Sequence, residues 1–272
     1  MQARSEARRL AGEKIAFVPT MGFLHQGHMS LLKEGRNRGD DLILSIFVNP
    51  TQFAQGEDLD AYPKSIERDL GLAEKEGVDA VFLPDAAQMY GENYQTYVSL
   101  EKLPNYLCGI SRPTHFRGVA TVVTKLFNIV KPHVAIFGEK DFQQLAVIRQ
   151  MVCDLNMDID IIGGAIVREK DGLAMSSRNA YLSQVQRQSA LCLFYSLQHA
   201  RKLVKNGVNE TEVIIQSTRE IIESQPETCI DYLMMCDPVS LESKPMIQGP
   251  TLFALAVKVG NTRLIDNMIL EP

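Results

Sequence analysis

The sequence lacks the long apolar segments that mark membrane-spanning proteins. Its longest apolar runs are LILSIFV at 42–48 and LFALAV at 252–257. Both are far shorter than the roughly 20 residues that a helix needs to cross a bilayer. The opening residues, MQARSEARRL, contain no apolar core of a signal peptide. We therefore expect a chain that acts outside the membrane.

The sequence also lacks paired cysteines and an excess of positive charge. Its five cysteines are scattered and form no CxxC pair, so neither a disulfide framework nor a cysteine zinc site is supported. A reducing cytoplasm is the default location for such a chain. Lys and Arg number 28 against 33 Asp and Glu, which gives a net charge of −5. This balance is a poor match for sequence-independent binding to nucleic acid or anionic membranes, so we expect neither as a partner.

What is present is an ordinary globular composition. Hydrophobic residues make up 45% and charged residues 22% of the 272 residues, with no internal repeat and no low-complexity segment. This composition can bury a sizeable core. The length suggests one large domain or two smaller ones.

Short apolar runs alternate with helical patterns over the first two thirds of the chain. Such an alternation predicts βαβ units and a parallel sheet covered by helices on both faces. Ligands of these sheets gather at the carboxyl ends of the strands. The predicted strands are 15–19, 42–48, 80–84, 134–138 and 159–167, and the predicted helices are a segment after Gly27, 65–77, 119–130 and 142–155.

The pattern changes after residue 167, where helices are followed by strands. This order predicts a smaller α+β domain. We therefore expect a first domain at 1–167 and a second at 168–272. Gly260, Asn261 and Thr262 separate the last two apolar runs, which indicates an antiparallel hairpin. The predicted helices are 184–205 and 210–224, and the predicted strands are 229–237, 251–259 and 263–270.

The strongest local pattern is PTMGFLHQGH at 19–28, between the first predicted strand and a helix. A helix N-terminus offers free N–H groups and partial positive charge to a phosphate. His25 and His28 are three residues apart, so they share one face of a helical turn and can add two further donors. The alternative is a turn with two incidental histidines. The position between strand and helix favours a phosphate site.

Two more loops follow predicted strands. In SIFVNPTQF at 45–53, Gln52 can both donate and accept hydrogen bonds, which suits a hydroxy acid. The alternative is an ordinary turn at Asn49–Pro50, since Asn-Pro pairs are common in turns between structural elements. In FGEKDFQQL at 137–145, Lys140 supplies a mobile positive charge, and Asp141 is placed to cap the next helix. A solvated lysine is the alternative there.

A further polar segment follows the sheet, in VREKDGLAMSSRNAYLS at 167–183. Ser176, Ser177 and Arg178 combine two hydroxyls with a guanidinium, which suits a triphosphate. A polar linker with a serine cap is the alternative. Asp69, on a predicted helix, is a candidate to help hold Mg²⁺, although most helical aspartates are surface residues.

Taken together, these segments resemble the pantoate–β-alanine ligases, also called pantothenate synthetases. HxGH alone occurs in many nucleotidyltransferases and class I aminoacyl-tRNA synthetases, whereas the ordered set is far more specific. The segments that carry the resemblance are PTMGFLHQGH, NPTQF, YPKSIERDL, RPTHFRGVATVVTKLFNIVKPHVAIFGEKDFQQL, VREKDGLAMSSRNAYLS and RLIDN.

The resemblance implies a Rossmann-like domain with a smaller carboxyl-terminal lid, usually in a homodimer. It implies that ATP and pantoate, with Mg²⁺, give pantoyl adenylate and pyrophosphate. β-Alanine then attacks the adenylate to give pantothenate and AMP. No covalent enzyme intermediate is needed.

The resemblance also implies site residues. The catalytic set is His25, His28, Lys140 and Arg178, with His28 usually assigned as proton donor. Asn49, Gln52 and Gln144 bind substrate. The ATP site comprises Met21, Gly22, Phe23, Leu24, His25, Gln26, Gly27, His28, Gly138, Glu139, Lys140, Asp141, Val167, Met175, Ser176, Ser177 and Arg178.

The chain departs from the family at its start. Family members usually begin earlier, with a short strand before the helix that SEARRLAG at 5–12 matches here. We expect this difference to affect stability or solubility more than activity, because no matched segment lies there.

Rival functions fit part of the pattern. HxGH also suits a nucleotidylyltransferase that keeps the nucleotide on its product, but NPTQF and GEKDFQQL add a pocket for a carboxylate substrate. A tRNA synthetase fits the acidic balance poorly. A non-catalytic nucleotide-binding module would not require both histidines, Lys140 and the SSR segment.

Overall fold

A computed structural model describes all residues from Met1 to Pro272, and the chain divides into two compact units. Two short segments that precede residue 167 group with the second unit. The first unit comprises Met1–Glu101, Arg112–Glu139 and Gln144–Ile166, and the second comprises Lys102–Ser111, Lys140–Gln143 and Val167–Pro272.

The first unit is built on a five-stranded parallel sheet with strand order β3-β2-β1-β4-β5. The chain moves outward from β1 to β3 and then returns to the other side of β1 with β4. The strand order therefore reverses between β1 and β4, where ligands of open α/β sheets bind. The strands are β1 (Ile15–Thr20), β2 (Asp41–Ile46), β3 (Ala80–Phe82), β4 (Val134–Gly138) and β5 (Asp160–Gly164).

Seven helices belong to the part of the chain that precedes residue 155. They are α1 (Gln2–Leu10), α2 (Gln26–Arg36), α3 (Ile66–Lys75), α4 (Ala86–Met89), α5 (Cys108–Ser111), α6 (His115–Val130) and α7 (Phe142–Asp154). None of the chain's helices is both long enough and apolar enough to cross a bilayer.

Strand β1 shows why helices cover both faces of this sheet. Ile15 and Phe17 belong to a buried cluster with side chains of α6 and α7. Ala16 and Val18 point to the opposite face and belong to a cluster with α2. All four side chains are fully buried, as expected for a parallel strand between two helical layers.

The second unit contains a three-stranded antiparallel sheet in the order β6-β7-β8, with two helices packed on it. Gly260 adopts φ 57°, a left-handed conformation that glycine accepts readily, in the tight turn between paired Val259 and Thr262. The elements are α8 (Gln184–Lys205), α9 (Thr211–Glu223), β6 (Thr228–Cys236), β7 (Thr251–Val259) and β8 (Thr262–Leu270).

The predicted fold class is confirmed: a parallel sheet with helices on both faces, and a smaller α+β part. Two boundaries differ from the prediction by three residues or more. Strand β5 ends at Gly164, short of the predicted 167, because its partner β4 ends opposite it at Gly138. Helix α6 begins at His115, ahead of the predicted Val119. Gly118 has a low helix propensity and so weakens the sequence signal for a helix there. Burial of Phe116 offsets this cost in the folded chain.

Candidate active site

The two histidines of HxGH form a cap on helix α2, directly after β1. His25 is the N-cap residue, and its Nδ1 accepts a hydrogen bond from the Gly27 N–H at 3.2 Å. The Nδ1 of His28 accepts from the His25 N–H, also at 3.2 Å. The two ring centroids are 4.0 Å apart. Since a backbone N–H can only donate, each neutral imidazole carries its proton on Nε2. Both rings are therefore set to donate through Nε2 beside a helix N-terminus.

Asp69 on α3 shapes the loop that precedes these histidines. Its carboxylate accepts the N–H of Phe23 at 2.7 Å and the N–H of Leu24 at 2.8 Å, and its side chain is fully buried. Phe23 has φ 51°, a left-handed conformation that is costly for an aromatic residue. A Cβ on Gly22 would lie 2.8 Å from the Ile46 side chain. The loop thus depends on a glycine and on a buried carboxylate.

This geometry bears on the prediction of Asp69 as a metal ligand. Both carboxylate oxygens are bound to backbone amides. The chain contains no group of three or more His, Cys, Asp or Glu side chains placed to hold a metal ion. The arrangement gives Asp69 a part in holding the loop, and its role as a Mg²⁺ ligand stays a prediction.

A cavity of about 290 Å³ lies beside the loop, within the first unit. Met21, Gly22, Phe23 and Asp69 line it, together with residues that follow β2 and β3. His25, His28 and Gln52 do not line it. The cavity is therefore bordered by the loop but not by these three predicted site residues.

Gln52 lies near Met21, at the end of a short 3₁₀ turn after β2. Its side chain is 9% exposed, and its Nε2 donates to the Met21 sulfur at 3.2 Å. Its Oε1 accepts from Nδ2 of Asn49 at 3.1 Å. The structure thus brings three predicted site residues together: Met21, Asn49 and Gln52.

Asn49 itself faces protein rather than solvent. It is 1% exposed, and its Nδ2 also donates to the Gly118 carbonyl at 3.2 Å. Its Oδ1 accepts from the Tyr90 hydroxyl at 2.7 Å and from the Thr51 hydroxyl at 3.0 Å. The amide is bonded to protein groups at both ends, which suits a residue that orients Gln52.

Two further residues, Arg112 and His115, contact the backbone carbonyl of Gln52. Arg112 donates to the Gln52 carbonyl at 3.1 Å, and Nδ1 of His115 lies 2.8 Å from the same oxygen. Arg112 also forms a bidentate ion pair with Glu57, in which both hydrogen bonds are 2.6 Å long. Burial alone raises the pKa of Glu57, but the hydrogen bonds and charge of Arg112 outweigh it and hold that pKa below its ordinary value. Arg112 and His115 both belong to the RPTHFRG part of the segments that carry the resemblance, which assigned neither of them a role.

The two glutamines in the first turn of α7 differ in their burial and contacts. Gln143 is buried and donates to the carbonyls of Leu103 and Tyr106, at 2.9 and 2.7 Å. Its Oε1 accepts from the Cys108 N–H at 3.0 Å. Gln144 is half-buried and makes none of these contacts. The role of Gln144 in substrate binding, which the resemblance implies, stays a prediction.

Lys140 belongs to the second unit, where strand β8 anchors its backbone. The Asn267 side chain donates to the Lys140 carbonyl at 3.0 Å. The neighbouring Asp266, 2% exposed, binds Arg168 through two hydrogen bonds of 2.6 and 3.0 Å. Arg168 in turn donates to the Gly172 carbonyl at 3.0 Å. Adjacent residues of RLIDN thus hold both Lys140 and the start of the segment that leads to Arg178.

The SSR segment forms a short 3₁₀ turn, Ser177–Tyr181, in the second unit. Ser176 caps this turn by accepting the Arg178 N–H on its hydroxyl at 3.3 Å. Ser177 is buried, whereas Met175 and Arg178 are half-buried. The Val167 carbonyl accepts from the Met175 N–H at 2.9 Å, which joins two predicted nucleotide contacts.

Comparison with known proteins gives one consistent family. The family model described as pantoate-beta-alanine ligase matches residues 1–269. A pantothenate synthetase from Desulfatibacillum aliphaticivorans is 63% identical, over 100% of this chain and 97% of that protein. One from Syntrophus aciditrophicus is 56% identical, over 99% of this chain and 94% of that protein.

Solved structures agree in fold. The crystal structure of pantothenate synthetase from Thermus thermophilus matches with a TM-score of 0.94 and 40% identity, covering 98% of each chain. The pantoate-beta-alanine ligase from Francisella tularensis, solved with beta-gamma ATP and beta-alanine, matches with a TM-score of 0.81 and 32% identity. That match covers 97% of this chain and 94% of that chain. The predicted resemblance is thus confirmed, and the chain belongs to the pantoate–β-alanine ligase family.

Proposed function

We propose that the chain condenses pantoate with β-alanine at the expense of ATP. A pantoate carboxylate oxygen attacks the α-phosphorus of ATP, and the bond to pyrophosphate breaks. The β-alanine nitrogen then attacks the acyl carbon of pantoyl adenylate, the bond to AMP breaks, and the nitrogen loses a proton. Family membership over the whole chain supports this reaction, as does the Francisella tularensis relative solved with beta-gamma ATP and beta-alanine. The observation that carries it is the pair of imidazoles capping α2.

The adenylation step requires two anions to approach each other. We propose that His25 and His28 donate through Nε2–H to oxygens of the ATP phosphates, where charge develops in the transition state. Lys140, Ser176, Ser177 and Arg178 bind phosphate oxygens in the same proposal. The nucleotide is bordered by the backbone around Gly22, Leu24, Gln26 and Gly27 and by Gly138, Glu139 and Asp141. Its base or ribose lies near Val167 and Met175.

We propose that Gln52 and Gln144 bind pantoate, with Gln52 also near β-alanine. Their amides can align the carboxylate with the α-phosphorus, and this alignment supplies much of the rate. Asn49 acts on the substrate by orienting Gln52, since both ends of its own amide are bonded to protein.

Mg²⁺ is part of the proposal as an ion that enters with ATP. The ion commonly keeps several waters and is bound through substrate phosphates. Asp69 stays a candidate ligand, since each of its oxygens accepts one backbone N–H and keeps a further lone pair.

The remaining proposals concern organisation. Residues 1–167 would bind ATP and pantoate, and residues 168–272 would act as a lid that excludes water from the adenylate. We also propose a homodimer that works in the cytoplasm on small molecules, without a nucleic-acid partner. Light scattering of the purified chain tests the dimer.

The product distribution tests the function against its rivals. With ATP, pantoate and β-alanine present, we expect pantothenate and free AMP in equal amounts. A nucleotidylyltransferase would instead leave the nucleotide attached to its product, and a non-catalytic module would leave ATP unchanged. Either of these outcomes would contradict the proposal.

A further inference from the structure

Tyr90 lies at the end of α4, and its hydroxyl is the first member of a hydrogen-bond chain that ends at Gln52. The hydroxyl donates to Oδ1 of Asn49 at 2.7 Å. Nδ2 of Asn49 then donates to Oε1 of Gln52 at 3.1 Å. Gln52 completes the chain with its Nε2, 3.2 Å from the sulfur of Met21.

Backbone groups determine the direction of this chain. The Thr51 N–H lies 3.4 Å from one end of the Asn49 amide and can only donate, so that end is the oxygen. The Gly118 carbonyl lies 3.2 Å from the other end and can only accept, so that end is the NH₂ group. Asn49 therefore donates a hydrogen bond to Gln52, and the side-chain oxygen of Gln52 accepts it. The NH₂ group of Gln52 is thereby turned toward Met21.

The packing around Tyr90 keeps the chain in place. A Cβ on Gly118 would lie 2.3 Å from the Thr51 carbonyl oxygen, so only glycine allows α6 to come this close to the turn. The Tyr90 ring stacks edge-on against Tyr94, with centroids 5.0 Å apart, and the Lys125 ammonium lies 5.7 Å from the Tyr90 ring centre. Burial raises the pKa of Tyr90, so the phenol keeps its proton and remains a donor at neutral pH.

We propose that Tyr90 is a positioning residue for the reaction: acting through Asn49, it holds Gln52 as a hydrogen-bond donor to an acceptor oxygen of pantoate. The proposal rests on the proposed function, because it assumes that Gln52 binds pantoate. It adds the polarity of that contact, which the backbone groups around Asn49 determine, and names Tyr90 as a residue that holds Asn49 in that orientation. An unrestrained glutamine can present either its oxygen or its NH₂ group, so removing the restraint weakens binding of an acceptor.

The test is a double-mutant cycle on Tyr90 and Gln52, read by pantoate-dependent ATP–pyrophosphate exchange. Tyr90→Phe keeps the ring and removes the hydroxyl. We expect it to raise the KM for pantoate roughly five- to tenfold, the scale of one hydrogen bond, and to leave the KM for ATP unchanged. In a Gln52→Ala background the same substitution should change the KM for pantoate by less than about twofold, since coupled residues are not additive.

Tyr94→Phe is the matched control. It removes a hydroxyl from the neighbouring ring of the same stack, and we expect wild-type constants. If Tyr90→Phe lowers the folded fraction in thermal unfolding, Thr51→Val repeats the cycle, because the Thr51 hydroxyl also donates to Asn49 Oδ1 at 3.0 Å.

The possible outcomes distinguish the positioning role of Tyr90 from the proposed function of the chain. Suppose that the wild type is active and that Tyr90→Phe raises the KM for pantoate by the same factor in the Gln52→Ala background. This result would overturn the positioning role of Tyr90 and leave the proposed function standing. Equal changes in the KM values for pantoate and ATP would overturn it as well. A wild-type chain without pantoate-dependent exchange would overturn both.

Discussion

Asp69→Asn removes one negative charge from the centre of the HxGH loop with little change in shape. The wild-type carboxylate accepts two backbone N–H groups, from Phe23 and Leu24, at 2.7 and 2.8 Å. An asparagine has only one acceptor oxygen, so its NH₂ group must face one of these donors. One buried N–H then loses its partner.

The size of the effect follows from burial and charge. Asp69 is fully buried, and a hydrogen bond to a charged group contributes roughly 1.5–3 kcal/mol. The loss falls on the loop conformation that places the two histidines, including the left-handed Phe23. Because 1.4 kcal/mol corresponds to about a factor of ten, we expect kcat/KM to fall roughly ten- to hundredfold.

The assay is ATP–pyrophosphate exchange with pantoate, measured over a range of Mg²⁺ concentrations. Glu67→Gln is the control, since it removes the same charge from an exposed position of α3. We expect the control to match wild type and the Asp69→Asn deficit to persist in excess Mg²⁺. Recovery of activity by added Mg²⁺ would show that Asp69 acts as a metal ligand, and wild-type kcat/KM would refute the loop argument altogether.

Three further predictions concern other parts of the site. His28→Ala should lower kcat for adenylation by about 10²–10³, the cost of one preorganised donor, and full activity in a correctly folded variant would rule out its role. Gln144→Ala should weaken pantoate binding in calorimetry and leave ATP binding nearly unchanged; equal losses would count against the assignment. Glu57→Gln should destabilise the fold at neutral pH, since it breaks the ion pair with Arg112. Because the folded-state pKa of Glu57 is lowered, its contribution is present above the ordinary glutamate pKa and lost as the pH falls through the folded value. Urea unfolding should therefore show the difference between wild type and variant shrinking toward acid pH, and a pH-independent difference would contradict the argument.

Much of the fold was predictable because strand and helix periodicities are local properties. Phe17 and its neighbours in β1 form a continuous apolar run, which is the pattern of a strand buried on both faces. The β7–β8 hairpin was predictable from Gly260 for the same reason. Strand order was not, since the position of β4 beside β1 depends on contacts between residues far apart in sequence.

The sequence predicted which loops form the site. It predicted less well what each single residue does there. Asn49 and Gln143 have the same amide chemistry as Gln52 and Gln144, and only burial and hydrogen-bond partners tell them apart. Asp69 shows the same limit, because no local pattern announces that a helical carboxylate will accept N–H groups from a distant loop.

Tyr90 had no signal of its own in a single sequence, and Asn267 was marked only as part of the RLIDN segment, without a role. Each acts on a site residue through one hydrogen bond across a long sequence separation. Such contacts become visible only once the fold brings the partners together.

Transfer of oxygen-18 from pantoate to AMP tests the central claim most directly. If the carboxylate of pantoate attacks the α-phosphorus and β-alanine later displaces AMP from the acyl carbon, AMP carries one carboxylate oxygen away. With pantoate labelled in its carboxylate, we predict labelled AMP and unlabelled pyrophosphate. Unlabelled AMP formed alongside pantothenate would contradict activation through an adenylate.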